Sequence, residues 1–111
     1  MNMAWSEADS QLYQGLASIA VPRRAEQMAA ILTLLPFGPE DSAKVVELCC
    51  GEGRLTASVL RCFPAVQALA LDGSAEMRAQ AEERLAEFGP RVRVGALDLA
   101  ASSASGIRAR W

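Results

Sequence analysis

The chain has 111 residues, of which 51% are hydrophobic and 22% are charged, and its net charge is −2. This length suits one small domain, and the composition argues against both a disordered protein and a membrane protein. Because the charges nearly balance, there is no overall field that would attract nucleic acid or anionic lipid.

Two residue types limit the chemistry that we expect. The chain has no histidine, which removes the commonest general base and the commonest metal ligand. Its three cysteines, Cys49, Cys50 and Cys62, form no C-x-x-C pair, so we expect neither a disulfide framework nor a metal site.

The first ten residues carry two acids where a secretory signal needs an apolar run, and no apolar run reaches membrane-spanning length. We therefore expect a cytoplasmic protein.

The N-terminal part of the chain has helical patterns. Residues 1–20 form an N-terminal segment in which weak amphipathic spacing predicts a short helix. Apolar residues then recur at helical spacing from Val21 to Leu35, with Pro22 suited to the first turn and Pro36 ending the helix.

Strand and helix patterns alternate over the next sixty residues. Apolar runs predict strands at residues 43–50, which we expect to be buried, and at residues 66–72 and 91–99. Between them, helical spacing predicts one helix over residues 54–63 and another that Ser74 caps and Gly89-Pro90 ends. Its buried stripe is expected to contain Met77, Ala81, Leu85 and Phe88. This order predicts an α/β fold over residues 21–100, followed by a tail over residues 101–111.

Each predicted strand carries an acid near its carboxyl end: Glu47, Asp72 and Asp98. The acids lie about one βαβ crossover apart, and right-handed crossovers place the carboxyl ends of parallel strands on the same edge. Open α/β sheets bind ligands at that edge, so we expect the three carboxylates to face one crevice. A simpler interpretation of Asp98 is that it only ends a strand.

Gly51 and Gly53 follow the first strand at a predicted strand-to-helix turn. Glycines let the backbone approach a ligand closely and leave helix N–H groups free, although the same glycines can simply permit a tight turn. Glu47 is placed to receive an ammonium group, and Asp72 is placed to accept bonds from ribose hydroxyls. These features together indicate a ligand that is a nucleoside with a charged appendage.

Four stretches carry a family resemblance. Residues 45–55, VVELCCGEGRL, resemble the glycine-rich first motif of class I (Rossmann-like) S-adenosylmethionine-dependent methyltransferases. Residues 69–77, LALDGSAEM, resemble their second motif, and residues 91–99, RVRVGALDL, are similar to the third. Residues 21–27 resemble the leader helix of many bacterial members. The resemblance covers roughly residues 20 to 100 and implies the N-terminal, cofactor-binding half of the family fold.

The resemblance implies a partial Rossmann-like three-layer sandwich, with at least three parallel strands in the order β-α-β-α-β after an N-terminal helix. It also implies S-adenosyl-L-methionine as cofactor and methyl transfer as activity. The implied cofactor residues are Glu47, Cys49, Gly51, Gly53, Asp72, Gly73, Ser74, Met77, Asp98 and Leu99. Among them, Glu47 and the glycine turn would hold the methionine end, Asp72 the ribose, and Asp98 with the Leu99 amide the adenine edge. Ser74 and Met77 would border the adenine ring, although the helical spacing of Met77 also fits core packing. The family often has glycine where Cys49 stands.

Two alternatives stay open at this point. An NAD(P)-binding oxidoreductase would use a similar fold, but its fingerprint asks for a third glycine where Thr56 stands and gives Glu47 no task. The other alternative is a truncated or degenerate, non-catalytic module, because the family sheet has seven strands and this sequence offers three. The sequence identifies neither catalytic residues nor the methyl acceptor. Without a fourth strand, the first strand would be an exposed edge, so we expect a fragment of a longer enzyme or self-association through that edge.

Overall fold

The computed structural model of the chain describes residues 6–12 and 23–98. The helices are α1 (residues 7–12), α2 (Arg24–Leu34), α3 (Arg54–Cys62) and α4 (Ala75–Leu85), and the strands are β1 (Ala43–Leu48), β2 (Val66–Asp72) and β3 (Val92–Ala96). A 3-10 helix, Ala86–Arg91, joins α4 to β3. The predicted alternation of helices and strands is confirmed. The predictions for Pro22, Leu99, the tail and most of residues 1–20 fall outside the described residues.

The three strands form one parallel sheet in the order β1-β2-β3. The register pairs Glu47 of β1 with Ala70 of β2, and Asp72 of β2 with Ala96 of β3. The carboxyl ends of the strands therefore lie on one edge, as the crossover rule predicts. Glu47 and Asp72 are brought to this edge, and Asp98 follows two residues after the end of β3.

One face of the sheet supports the main core. Alternate residues of β2, Val66, Ala68 and Ala70, pack with buried residues of α3 and α4. Side chains of α2 and of the outer strands contact this cluster from its margins. The three helices of residues 24–85 thus form one layer, and a second helical layer is not among the described residues. On the opposite face Leu69, Leu71 and Leu97 form a smaller buried cluster.

The ends of one helix and one strand differ from the sequence predictions. The last helix was predicted to run to Gly89-Pro90, but α4 ends at Leu85 and the chain continues as the 3-10 helix. Gly89 has φ +56°, and proline lacks the N–H that an α-helical bond would need, so the tighter turn replaces the α-helix. Phe88 is consequently half-buried, rather than a member of the buried α4 stripe. The third strand is also shorter than predicted, since it ends at Ala96.

Strand β1 is not buried, contrary to the prediction. Val46 is 42% exposed and Leu48 is 51% exposed, although their register partners Leu69 and Leu71 are buried. The reason is position: within the described residues β1 pairs only with β2, so one long edge and part of one face lack neighbours. Among the described helices, none combines the length and apolar character that a membrane span needs.

Candidate functional site

The site is built around the turn that joins β1 to α3. Three residues of this turn have left-handed backbone: Cys49 (φ +57°), Gly51 (φ +57°) and Gly53 (φ +82°). The turn is fixed to the sheet because the Cys50 N–H donates to the Leu71 carbonyl over 2.9 Å, and the Gly53 N–H donates to the Cys50 carbonyl over 3.0 Å. The left-handed conformation costs a residue with a side chain about 1–2 kcal/mol. Cys49 carries this cost, which explains in physical terms why glycine is favoured at its position.

The two glycines of the turn have different surroundings. A Cβ added at Gly53 would lie 3.2 Å from Leu85 Cδ1 and 3.3 Å from the Cα of Ala81, so this glycine permits close packing against α4. A Cβ added at Gly51 would meet nothing within 4 Å. Gly51 therefore faces open space where a ligand can approach the backbone. On the α4 side, Arg84 Nη1 donates to the Glu52 carbonyl over 3.0 Å and holds the turn against that helix.

The Asp72 carboxylate connects the glycine turn to the start of α4. Its Oδ2 accepts a bond of 2.8 Å from the Gly51 N–H, and its Oδ1 accepts a bond of 2.9 Å from the Ser74 N–H. An ionised carboxylate has lone pairs for about four hydrogen bonds, so each oxygen retains capacity for a hydroxyl donor. The sequence placed Asp72 and the glycines at one edge, and the structure joins them directly.

Glu47 lies behind this turn, on the core side of β1. Its Oε1 accepts a bond of 2.5 Å from the Thr56 hydroxyl, which belongs to the first turn of α3 and is buried. Burial raises the pKa of the Glu47 carboxyl, and the nearby Asp72 charge raises it further, while the bonds from Thr56 oppose the shift. A positive charge bound next to a buried carboxyl stabilises its ionised form, so Glu47 is suited to a cationic partner. Sequence reasoning considered Thr56 only as a missing glycine. The available signal was a polar residue on the inner face of α3, where the other buried residues are apolar.

The buried cysteine of the turn, Cys50, is not activated as a nucleophile in this structure. Burial raises the pKa of the Cys50 thiol to about 12, with smaller contributions from the charges of Glu47 and Asp72. The reactive form of cysteine is the thiolate, so Cys50 stays protonated at neutral pH. With 7% exposure, Cys50 packs as a small buried hydrophobic residue.

The remaining predicted site residues lie around the start of α4 and the end of β3. Ser74 caps α4, since its Oγ accepts a bond of 3.2 Å from the Met77 N–H, as predicted. Gly73 brings the backbone close to the loop after β3, because a Cβ there would lie 3.0 Å from the Leu97 carbonyl oxygen. Met77 is only 4% exposed and belongs to the buried stripe of α4. Asp98 is exposed at the same edge of the sheet.

Two polar residues of α1 were missed by the sequence reasoning. Glu7 accepts hydrogen bonds from the start of α4, and the Ser10 hydroxyl lies 2.7 Å from the Ser74 hydroxyl. These contacts join residues more than sixty positions apart, so no local pattern of the sequence indicates them.

Comparison with known proteins decides the family. A family model described as a methyltransferase domain matches residues 45–106, which is more than half of the chain. The chain belongs to this methyltransferase family. The match includes the glycine turn, Asp72 and the strand that precedes Asp98, so it covers the site described above. It favours the methyltransferase interpretation over an NAD(P)-binding oxidoreductase.

Individual relatives agree with this assignment. Over 81 residues the chain is 37% identical to trans-aconitate 2-methyltransferase of Streptomyces avermitilis, an alignment that covers 73% of the chain and 29% of that enzyme. The chain thus spans less than a third of the length of this curated relative.

Solved structures show the same fold. A SAM-dependent methyltransferase from Geobacter sulfurreducens, crystallised with S-adenosyl-L-homocysteine, matches with a TM-score of 0.52 and 25% identity, over 62% of the chain and 27% of that protein. An O-methyltransferase family protein from Burkholderia thailandensis matches with a TM-score of 0.62 and 22% identity, over 84% of the chain and 28% of that protein. The chain corresponds to one part of a larger class I methyltransferase fold, as the sequence predicted.

Proposed function

We propose that this chain is the S-adenosyl-L-methionine-binding part of a methyltransferase that transfers the methyl group to an acceptor held elsewhere. The cofactor supplies an electrophilic methyl group on a sulfonium, so the protein mainly has to hold cofactor and acceptor in line. Family membership and a relative crystallised with S-adenosylhomocysteine support the cofactor. The chain matches only 29% of the length of its curated relative, which supports an acceptor pocket formed by a further part of a longer enzyme.

Each predicted residue has a proposed role that suits its position. Glu47 receives the ammonium of the methionine moiety, while the backbone of residues 49–53 surrounds the methionine end. Asp72 accepts bonds from the ribose hydroxyls, next to the close backbone approach at Gly73. Ser74 and Asp98, with the Leu99 amide, border the adenine. Since Met77 is buried, we assign it only to the floor beneath the ring.

The observation that carries the proposal is the 2.8 Å bond from the Gly51 N–H to Asp72 Oδ2. It places a glycine whose Cα borders open space next to a carboxylate, at the carboxyl edge of a parallel sheet, where open α/β folds bind nucleotides. The buried Glu47 adds a second carboxylate close enough to Asp72 for their charges to interact. The two neighbouring carboxylates could thus provide a partner for a cation and acceptors for a sugar.

Isothermal titration calorimetry with S-adenosylmethionine, S-adenosylhomocysteine and NAD tests the proposal. We expect the first two ligands to bind and NAD not to bind. Binding of NAD alone would favour the oxidoreductase alternative. Absence of binding by all three would favour the non-catalytic, degenerate module.

Replacing Glu47 by glutamine should change stability and binding in opposite directions. Because the pKa of Glu47 is raised in the folded state, its ionised form disfavours folding at neutral pH. The variant should therefore be the more stable protein at pH 7, and this gain should vanish as the pH falls below the ordinary glutamate pKa of about 4.5. Its affinity for S-adenosylhomocysteine should fall, because the ammonium loses its charged partner. Denaturant unfolding and calorimetry at pH 4 to 8 measure both effects.

The wild-type protein should also bind S-adenosylhomocysteine more weakly as the pH falls through the raised pKa of Glu47, and the Glu47→Gln variant should lose this dependence. Thr56→Val is the matched control, since it removes the hydroxyl that bonds Glu47 and keeps the carboxyl group, so the pH dependence should persist and move to higher pH. Equal pH profiles for wild type and Glu47→Gln would contradict the role of Glu47.

We also propose that the edge of β1 that no strand of residues 23–98 covers associates with another strand, either in a second copy of the chain or in a longer enzyme. Val46 and Leu48 are exposed on β1, and an apolar strand edge without a neighbour favours pairing with another strand. We expect the 111-residue chain to sediment as a dimer or larger species, and Val46→Lys to shift it toward the monomer. A monodisperse wild-type monomer that turns over substrate would contradict this proposal.

A further inference from the structure

The α1 segment is anchored on the start of α4 through Glu7. Its Oε1 accepts a bond of 2.8 Å from the Ala75 N–H, and its Oε2 accepts bonds of 2.9 Å from the Glu76 N–H and 3.0 Å from the Ser74 hydroxyl. The first N–H groups of a helix have no partner inside the helix, and a carboxylate there also benefits from the helix dipole. Glu7 thus supplies from another segment the acceptors that the first turn of α4 needs.

Ser10 makes the second contact of this anchor. It is fully buried, and its Oγ lies 2.7 Å from Ser74 Oγ. One arrangement of hydrogens satisfies Ser74 completely: its hydroxyl donates to Glu7, while its oxygen accepts from the Met77 N–H and from the Ser10 hydroxyl. The α1 segment is also internally ordered, because Ser6 and Asp9 form a capping box at its start.

The anchor continues without a gap to the proposed ribose acid. Ser74 joins both parts, since its side chain contacts α1 and its N–H donates to Asp72 Oδ1 over 2.9 Å. The other oxygen of Asp72 is held by the Gly51 N–H. Asp72 is thus fixed between the glycine turn on one side and the Ser74 cap on the other, and α1 fixes the cap.

We propose that Glu7 and Ser10 are positioning residues for Asp72, so that docking of residues 6–12 on α4 and binding of the adenosyl ribose favour each other. The inference rests on the proposed function, because it takes Asp72 as the ribose acceptor. Coupling of this kind is reciprocal: a docked α1 strengthens ribose binding, and bound ribose strengthens the docking of α1.

The charges around the anchor agree with this role. The backbone N–H groups of Glu76 and Ala75 lower the pKa of Glu7, and the positive charge of Arg78 lowers it further, so Glu7 is ionised at neutral pH. Arg78 also donates to the Asp72 carbonyl over 2.9 Å. Arg78 thus supplies a positive charge near Glu7 and a backbone contact to the residue that the anchor positions.

The test compares Glu7→Gln and Ser10→Ala with the wild-type 111-residue chain, using S-adenosylhomocysteine and its 2′-deoxy analogue as probes. Both variants weaken the contacts between α1 and Ser74. Glu7→Gln removes the charge of the group that accepts from the Ser74 hydroxyl, and Ser10→Ala removes the hydroxyl beside it. Glu76→Gln is the matched control, because it removes a carboxylate from the same helix turn and leaves the backbone N–H that bonds Glu7. Circular dichroism establishes that each protein is folded at the temperature of titration.

We expect both variants to bind S-adenosylhomocysteine on the order of tenfold more weakly, which corresponds to losing one hydrogen bond between a ribose hydroxyl and the Asp72 carboxylate. Glu76→Gln should bind this ligand with wild-type affinity. The preference of Glu7→Gln and Ser10→Ala for the ribose over the 2′-deoxyribose ligand should shrink, which a general loss of stability would not produce. Unchanged preference in both folded variants would overturn this inference and leave the proposed function intact. Failure of the wild type to bind S-adenosylhomocysteine would overturn the proposed function, and this inference with it.

Discussion

Replacing Asp72 by alanine should lower the affinity for S-adenosylhomocysteine by about 100-fold or more, as expected from losing two bonds between ribose hydroxyls and a charged acceptor. The substitution also leaves the Gly51 and Ser74 N–H groups without the carboxylate that they bond in the folded protein. Unfolding by denaturant should therefore show a loss of about 1–3 kcal/mol in stability. Calorimetric titration of the folded variant measures the effect on binding.

Asp41→Ala is the matched control for this prediction. Asp41 also accepts a bond from a backbone N–H, that of Gly38 over 2.6 Å, but it precedes β1 and so lies at the opposite end of the strand from the site. We expect this variant to bind S-adenosylhomocysteine as the wild type does. Equal losses in the two variants, or wild-type binding by folded Asp72→Ala, would show that Asp72 does not hold the ribose.

The second large effect is expected for Gly53→Ala, which should lower the free energy of unfolding by about 2–5 kcal/mol. Left-handed backbone with a side chain contributes about 1–2 kcal/mol of this cost. Overpacking adds about 1–3 kcal/mol, because the new Cβ would lie 3.3 Å from the Ala81 Cα and the backbone of α4 would have to shift. Chemical denaturation measures the change.

Gly51→Ala is the natural partner of this experiment. It has a similar backbone strain but no atom within 4 Å of the added Cβ, so the stability loss should stay near 1–2 kcal/mol. The added methyl group would occupy the space that we assign to the cofactor, and affinity for S-adenosylhomocysteine should fall more than in any other glycine variant of the turn. If Gly51→Ala bound the ligand normally, the cofactor would not lie over this turn.

Much of the fold was predictable because its determinants are local. The apolar runs of β2 and β3 and the helical stripe of Met77, Ala81 and Leu85 repeat with the periods of strand and helix, and the structure confirms these elements. The exposure of β1 was not predictable from its apolar sequence. A strand of this composition is buried only if neighbours cover it, and within the described residues β1 has a single neighbouring strand.

The candidate site was predictable where topology determines it. Glu47, the glycine turn and Asp72 follow strand ends, and parallel strands bring such ends together. The contacts of Glu7 and Ser10 with Ser74 were not predictable, because they depend on how α1 docks against a helix far along the chain. Thr56 was predictable in part: its position on α3 was predicted, but its hydrogen bond to Glu47 was not.

Nuclear magnetic resonance mapping of S-adenosylhomocysteine on the isotopically labelled chain tests the cofactor site most directly. We expect the amide signals of Gly51, Gly53 and Gly73 to shift on titration, while those of Glu82 and Gly89, beside the far end of α4, stay unchanged. Shifts confined to the region of Glu82 and Gly89, or an unperturbed Gly51, would contradict the account.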